Sequence, residues 1–307
     1  GRVGPVRFSR CGGDELVGGS PNRSFAFPAF AGEEGLLFPM RRIPSFLFLG
    51  VAALVCLYPF AWMFLSSFKT NKEIYQPTLF FPSDYEWDSY AGLWSGEYLP
   101  FFDYFLHSIL VSGGQALLAT FVTAAAGYAF SKMSFRGSGW LFGVAILAIL
   151  VPKQALAVPL FEWMAWLGWQ GELWSLALPG VASGLGVIFF TQVFRKVPDE
   201  LIDLAKVEGL NPVRTFATLL PLIAPALVTF CFLHFILSWQ EHLLPLLMLD
   251  DENLTLPIAL AKLRDSSHRI PESVGMAAAT LSLIPVVVLF GLFFRKMKTA
   301  LVGLSLS

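Results

Sequence analysis

Charged side chains are scarce in this sequence. They make up 14% of its 307 residues, whereas 55% are hydrophobic and the mean hydropathy is +0.64. Soluble domains and disordered chains both carry more charge than this. The 21 basic and 22 acidic residues nearly cancel, so the chain has no overall basic field to bind nucleic acid. The composition predicts a protein that crosses a membrane several times.

Cysteine is also rare, and its positions exclude most cysteine chemistry. Cys11 lies in a polar stretch, while Cys56 and Cys231 lie inside apolar runs. This spacing gives neither a disulfide framework nor a zinc site. His234 and His242 stand near Cys231 but complete no closed ligand set, so we expect no metal and no other cofactor. The chain also lacks a G-x-x-x-x-G-K-[ST] phosphate loop, so ATP hydrolysis is not predicted for it.

Long apolar runs are what the sequence has in place of charge. A helix needs about 20 apolar residues to cross the hydrocarbon core. Six runs of this length cover approximately residues 43–64, 106–130, 140–160, 174–194, 219–239 and 274–294. Because backbone groups in lipid must be satisfied within the segment, these runs predict helices. The expected fold is all-α, with six transmembrane helices.

The first 39 residues do not fit this pattern. They are rich in Gly, Ser, Arg and Phe, and the first methionine of the chain is Met40. We expect residues 1–39 to be a disordered leader or translated upstream sequence, and residues 40–307 to form the transmembrane domain. Residues 1–39 do not have the layout of a signal peptide.

Lysine and arginine are distributed unevenly between the two sides of the predicted bundle. The segments on the side of Met40 hold eleven of them, and the longer segments on the other side hold five. Cytoplasmic loops carry the excess of Lys and Arg. The sequence therefore predicts that both termini are cytoplasmic.

The predicted inner loop between the fourth and fifth spans carries helix signals of its own. Pro198 suits the start of a helix, Gly209 suits its left-handed end, and Asn211 with Pro212 can begin another. These signals predict a helix, a sharp turn and a second helix. Leu201, Leu204 and Ala205 share one face, and this apolar face on a loop requires a partner.

Several motifs resemble those of a known transporter family. The loop contains Asp203-Leu204-Ala205, then Gly209, then Leu220-Pro221 at the next span. Further matches are Ser67-Phe68-Lys69-Thr70-Asn71, Ala126-Gly127-Tyr128-Ala129, Val158-Pro159-Leu160, Trp239-Gln240-Glu241 and Thr255-Leu256-Pro257. In this order, the motifs resemble those of permease subunits of binding-protein-dependent ABC importers, in particular the maltose-type carbohydrate-uptake branch. The likeness covers about Met40 to the C-terminus.

The resemblance implies a role for the loop and a set of partners. It makes the loop a coupling helix that docks on separate ABC ATPase subunits at residues 199–212. The residues implied are Glu200, Leu201, Asp203, Leu204, Ala205, Glu208 and Gly209. The other implied partners are a second, different permease subunit, an extracytoplasmic substrate-binding protein and the lipid bilayer of a bacterial inner membrane. The alternative for the loop is an amphipathic helix that lies on the membrane surface or on its own bundle.

The loop departs from the family's pattern at several positions. Asp203-Leu204 replaces Glu-Ala, Glu208 replaces Asp, and one residue fewer separates Gly209 from Pro221. One deletion rotates a helix by about 100 degrees, so this departure bears on the docking geometry.

Polar residues within the spans are the candidates for a solute pathway. Lys153 and Gln154 follow Pro152, and a lysine at a helix centre costs about 2.5 to 3.5 kcal/mol on insertion scales. Lys153 either faces a cavity or extends to the outer interface. Trp239, Gln240 and Glu241 either bind a sugar ring and its hydroxyl groups or anchor the span at the interface.

The sequence therefore predicts a non-enzymatic permease subunit that works by alternating access, with a sugar or related polyol as solute. The alternative is a secondary transporter driven by an ion gradient. That class predicts an inverted repeat with paired intramembrane acids or broken helices in corresponding halves, and the sequence shows no sign of either. An ABC permease for a non-sugar solute is the other alternative.

Overall fold

The computed structural model describes residues 37–305, except residues 77 and 266–269. The chain divides into two units, Gly1–Val55 and Cys56–Ser307. In the first unit, the described residues form a single helical segment that continues into the second unit. Of the predicted leader, residues 37–39 belong to this helix, and the remainder lies outside the described residues. Each site discussed below lies in the second unit.

The described residues form an all-α fold, as predicted. The helices are α1 Leu37–Ser66, α2 Asn71–Ile74, α3 Asp88–Ser95, α4 Phe101–Lys132, α5 Ser138–Leu150, α6 Ala157–Trp166, α7 Trp174–Val181, α8 Gly184–Arg195, α9 Asp199–Val207, α10 Pro212–Leu219, α11 Ala224–Trp239, α12 Leu243–Met248, α13 Leu256–Asp265 and α14 Glu272–Ser305.

Three of these helices are long and apolar enough to cross a membrane by themselves. They are α1, α4 and α14. Three further pairs pass the same criterion only when each pair is taken as one span: α5 with α6, α7 with α8, and α10 with α11. By length and composition, the described residues therefore contain up to six spans.

Three of the six predicted spans are pairs of helices with a bend between them. The bends measure 98° between α5 and α6, 45° between α7 and α8, and 84° between α10 and α11. Pro152 lies at the first bend, Pro179 lies in α7 just before the second, and Pro221 lies at the third. Since proline donates no backbone hydrogen bond and clashes with the preceding turn, a helix readily breaks near it.

Helix α4 lies at the centre of the bundle and packs against α7, α8 and α11. It approaches α8 closely at Gly127, where a Cβ atom would stand 2.6 Å from the backbone of Phe190. The absence of a side chain lets the two helices approach each other, as small residues do in membrane bundles. Phe190 and Phe194 then fill a buried core with Tyr128 of α4.

The turn after α1 is built around a buried lysine. The side chain of Lys69 is 1% exposed, lies 4.2 Å from the centroid of the Trp62 ring and donates a hydrogen bond to the Leu79 carbonyl at 2.5 Å. These two interactions replace water around the ammonium group. Thr70 and Glu73 next form a capping box that begins α2. The Ser67–Asn71 motif therefore fixes the exit of the chain from α1.

We expect the substitution Gly127→Ala to destabilise the protein. The new methyl group would meet the backbone of α8, which cannot move aside, and overpacking of this kind costs about 1 to 3 kcal/mol. Gly113→Ala, on the same helix, is the matched control, because nothing lies within 4 Å of the Cβ position there. Thermal unfolding of both variants in detergent checks the prediction, and equal midpoints would contradict it.

Candidate functional site

The helix–turn–helix segment, residues 199–219, has the predicted form. Helix α9 ends at a left-handed Gly209 with φ 74°, and the amide of Leu210 donates to the Ala205 carbonyl at 2.9 Å. Asn211 then caps α10, because its side chain accepts a hydrogen bond from the Arg214 amide at 2.8 Å. These local interactions fix the angle between the two helices.

Helix α9 has an inner face that is buried and an outer face that is exposed, and the residues of the exposed apolar face differ from those of the predicted stripe. Ile202 and Ala205 are buried against the bundle, so the expectation that Ala205 belongs to the exposed stripe was wrong. Leu201 and Leu204 are exposed as expected, and Val207 joins them with 84% of its surface exposed. The difference arises because the face at Ile202, about 100 degrees around the helix, packs on the core.

The predicted acidic residues of α9 lie at its exposed surface. Glu200 and Glu208 are exposed, and Asp203 forms an exposed ion pair with Lys206 at 2.9 Å. This ion pair raises the pKa of Lys206, first through the hydrogen bond and then through the charge of Asp203. An exposed pair of this kind adds little stability. The acidic groups and the apolar outer face therefore share one accessible surface.

A lysine at the end of α4 connects the bundle to the start of α9. The Nζ atom of Lys132 donates to the Val197 carbonyl at 2.6 Å and contacts Oδ1 of Asp199 at 2.5 Å, and its side chain is only 5% exposed. The hydrogen bond from Lys132, and then its charge, hold the pKa of Asp199 below the usual range. The ion pair is therefore kept at neutral pH and is lost only as the pH falls through that lowered pKa. No pattern in the sequence predicts this contact, because Lys132 and Asp199 lie on separate helices.

A second candidate site is a cavity of about 590 Å³ in the part of the bundle that contains the breaks between α5 and α6 and between α7 and α8. This volume lies in the range of small-molecule sites. Most of the lining is apolar. Its polar members include Ser108, Ser112, Gln115, Lys153, Ser183, His234, Ser238, Glu241 and Thr255.

Two of these polar side chains satisfy backbone groups near the break between α7 and α8. Gln115 donates from Nε2 to the Leu176 carbonyl at 2.6 Å, and Nε2 of His234 lies 3.0 Å from the Gly180 carbonyl oxygen. Helix breaks at membrane depth are tolerated when such partners are present. Gln115 and His234 therefore hold the cavity wall together.

The structure separates the five predicted pathway residues. Lys153, Trp239 and Glu241 line the cavity, whereas Gln154 and Gln240 are not among its lining residues. Lys153 is exposed, as Gln154 and Gln240 are. Trp239 is buried, and its ring stacks on Phe235 with centroids 5.6 Å apart. Because Phe235 covers one face of the indole, only part of it faces the cavity.

Further polar residues of the cavity were not predicted as pathway residues. Ser108, Ser112 and Gln115 follow one another at spacings of four and three residues along α4, so they form one stripe of the helix. That spacing is visible in the sequence and is the signal that could have identified them. Thr255 lies outside the predicted spans. Its hydroxyl group is buried and has no hydrogen-bond partner within the described residues, and no signal in the sequence indicates this.

Comparison with known proteins decides the family of this chain. The sequence profile of the family described as "Binding-protein-dependent transport system inner membrane component" matches residues 116–300. The chain belongs to this permease family. The match includes the helix–turn–helix segment and most of the residues that line the cavity. Membership of this family rules against the alternative of a secondary transporter driven by an ion gradient.

Curated relatives of the permease agree with this assignment. It is 31% identical over 254 residues to the trehalose transport system permease protein SugB of Mycobacterium tuberculosis, with 80% of this chain and 90% of SugB covered. It is 30% identical over 250 residues to the trehalose/maltose transport system permease protein MalG of Thermococcus litoralis, covering 80% and 88%. The probable ABC transporter permease protein YurM of Bacillus subtilis is 29% identical over 249 residues, covering 80% and 81%.

A solved structure shows the same fold. It is the crystal structure of a bacterial ABC transporter involved in the import of the acidic polysaccharide alginate. The permease superposes on one of its chains with a TM-score of 0.74 and 20% sequence identity, covering 86% of this chain and 99% of that one. The two chains therefore share a fold over most of their lengths.

We expect Lys132→Met to loosen the start of α9 in the purified permease. The substitution removes the donor to the Val197 carbonyl and the partner of Asp199, so amides of residues 196–211 should exchange with deuterium about tenfold faster. Hydrogen exchange with mass spectrometry measures this rate. Lys206→Met is the matched control, because it removes the ion pair with Asp203, in which both side chains are exposed. Equal rates in the two variants would contradict the proposed connection.

Proposed function

We propose that this permease is one membrane subunit of an ATP-driven importer for a sugar or a related polyol. The observation that carries the proposal is the family match together with the named substrates of the relatives, which include trehalose, maltose, lactose and arabinooligosaccharides. The cavity supports it, since hydroxyl and amide side chains interrupt an otherwise apolar lining. Such groups bind the hydroxyls of a sugar.

The outer face of α9 is the docking surface for a separate ATPase subunit in this proposal. Leu201, Leu204 and Val207 are exposed on a segment whose inner face is fixed to the bundle. An apolar surface beside acidic groups is typical of a protein interface. This arrangement supports coupling at residues 199–212, with Glu200, Asp203 and Glu208 around the apolar face and Gly209 shaping the turn.

Movement of the ATPase subunits would reach the cavity through α4. Lys132 binds the start of α9, Tyr128 packs on Phe216 of α10 with ring centroids 5.5 Å apart, and Ser112 of the same α4 helix lines the cavity. A packed helix transmits a displacement along its axis because its interior is not easily compressed. Solute then moves by alternating access, and this chain performs no covalent chemistry.

The complete importer needs partners in addition to the ATPases. A second, different permease would complete the solute pathway, and a substrate-binding protein would deliver the solute on the extracytoplasmic side. The excess of Lys and Arg on the side of the helix–turn–helix segment supports cytoplasmic termini and insertion in a bacterial inner membrane. Lys153, Trp239 and Glu241 of this chain would then face the pathway, with Gln154 and Gln240 beside it.

We expect Leu204→Glu to weaken ATPase docking. A charge placed at the centre of the apolar outer face must be desolvated on binding, so affinity for the ATPase subunit should fall more than tenfold and ATP-dependent uptake should fall with it. Co-purification of the assembled importer and uptake in membrane vesicles measure these two effects. Ser134→Glu introduces the same charge in the exposed loop between α4 and α5 and is the control. Normal assembly of the Leu204 variant would contradict the docking surface.

We expect the helix–turn–helix segment to be inaccessible from outside the cell. In a variant with serine at the three cysteine positions, a Lys206→Cys substitution should react with a membrane-impermeant maleimide only after the cells are opened. Lys72→Cys, between α1 and α3, should react in intact cells. Labelling of position 206 in intact cells would show that the orientation is inverted.

A further inference from the structure

Two side chains that carry formal charge line the cavity within the described residues. They are Lys153, in the bend between α5 and α6, and Glu241, which follows α11. His234 also lines the cavity, and its imidazole is already engaged with the Gly180 carbonyl. The charge available to a solute therefore depends on how Lys153 and Glu241 are compensated.

The charge of Glu241 is compensated within the chain. Its Oε1 atom accepts hydrogen bonds from the amides of His242 at 3.1 Å and Leu243 at 3.0 Å. Hydrogen bonds from backbone amides stabilise a carboxylate in place of water or a cation. Glu241 therefore binds backbone amides at the start of α12, and its carboxylate does not require the ammonium group of Lys153.

The charge of Lys153 has no such compensation. No ion pair or hydrogen bond of its ammonium group is found among residues 37–305 as far as the structure describes them, although three other lysines there pair with aspartates. The residue lies in a single turn between two helices bent by 98°, so the backbone holds it at a fixed place in the cavity wall. Lys153 is exposed, so its ammonium group is accessible to a solute in the cavity, and without a partner in the described chain it is available to pair with an anion.

We propose that Lys153 binds an anionic group of the transported solute, so that the solute is a sugar or polyol that carries a carboxylate or a phosphate. This inference rests on the proposed function and gives it a substrate class. Ser112 lines the same cavity, and its hydroxyl group makes no hydrogen bond within the described part of the chain. The hydroxyl group of Thr255 is buried without a partner there. These two hydroxyl groups are suited to the uncharged part of such a solute.

The test compares matched charged and neutral solutes in the complete importer. Proteoliposomes contain this permease, its partner permease and the ATPases, and the binding protein is added with one solute at a time. The first pair of solutes is trigalacturonate (charged) and maltotriose (neutral). The second pair is glucose 6-phosphate (charged) and glucose (neutral). The two charged solutes distinguish a carboxylate from a phosphate. Because the binding protein also selects solutes, the decisive comparison is between permease variants measured with the same binding protein and the same solute.

We expect Lys153→Gln to raise the KM for the charged solute at least tenfold, while Lys153→Arg raises it less than threefold. Lys72→Gln, which removes a lysine far from the cavity, should have no effect. The Lys153→Gln variant should also unfold at the same temperature as the wild type, because the side chain that it replaces is exposed and makes no ion pair within the described residues.

Several results would overturn the inference. Uptake of the neutral solutes alone would refute an anionic substrate and leave the proposed sugar importer intact. An unchanged KM in Lys153→Gln, or equal losses for charged and neutral solutes, would show that Lys153 has another role, such as an ion pair with the second permease. ATP-dependent uptake of none of the four solutes would overturn the proposed sugar function, and the inference with it.

Discussion

The structure depends on satisfying backbone polar groups where helices break inside the membrane. Lipid offers no hydrogen bonds, so every carbonyl freed by a bend needs a partner from elsewhere in the protein. At the break between α7 and α8, Gln115 of α4 and His234 of α11 engage the carbonyls of Leu176 and Gly180. The bent span is therefore held between two other helices, and the space that opens beside the bends becomes the cavity.

Helix α4 has a second role because it extends beyond the cavity. It contains 32 residues, which corresponds to a length of about 48 Å at the rise of an α-helix. Ser112 lines the cavity, and Lys132, at the last turn, binds the start of α9. A single continuous helix thus contacts both candidate sites. This continuity makes it the natural connection between an ATPase docking surface and the solute pathway in the proposed function.

The cavity itself combines an apolar wall with a few polar groups of different kinds. Some of them, such as Gln115 and His234, are occupied with the backbone and stabilise the wall. Others retain free hydrogen-bonding capacity, such as Ser112, or carry an uncompensated charge, as Lys153 does within the described residues. This division distinguishes residues that build the cavity from residues that are available to a solute, and position in the sequence alone does not reveal it.

Local signals in the sequence predicted much of the fold. The six apolar runs coincide with three long helices and three bent pairs that could cross a membrane by length and composition. Pro198, Gly209, Asn211 and Pro212 predicted the helix–turn–helix segment because capping depends on neighbouring residues. Proline near the bends was visible too, yet the same residues occur in continuous membrane helices such as α14, which contains Pro285. At the break between α7 and α8, side chains of α4 and α11 supply partners for the backbone, and those partners are distant in the sequence.

The sequence by itself determined that the chain is apolar enough to cross a membrane, where its helices lie and where the 199–219 segment turns, since these properties depend on composition and on contacts a few residues apart. The tertiary structure decided which spans bend, that Ala205 faces the bundle, that Lys132 binds Asp199 and that Lys153 lines the cavity. Each of these depends on groups brought together from separate helices, and no pattern along one helix specifies its neighbour.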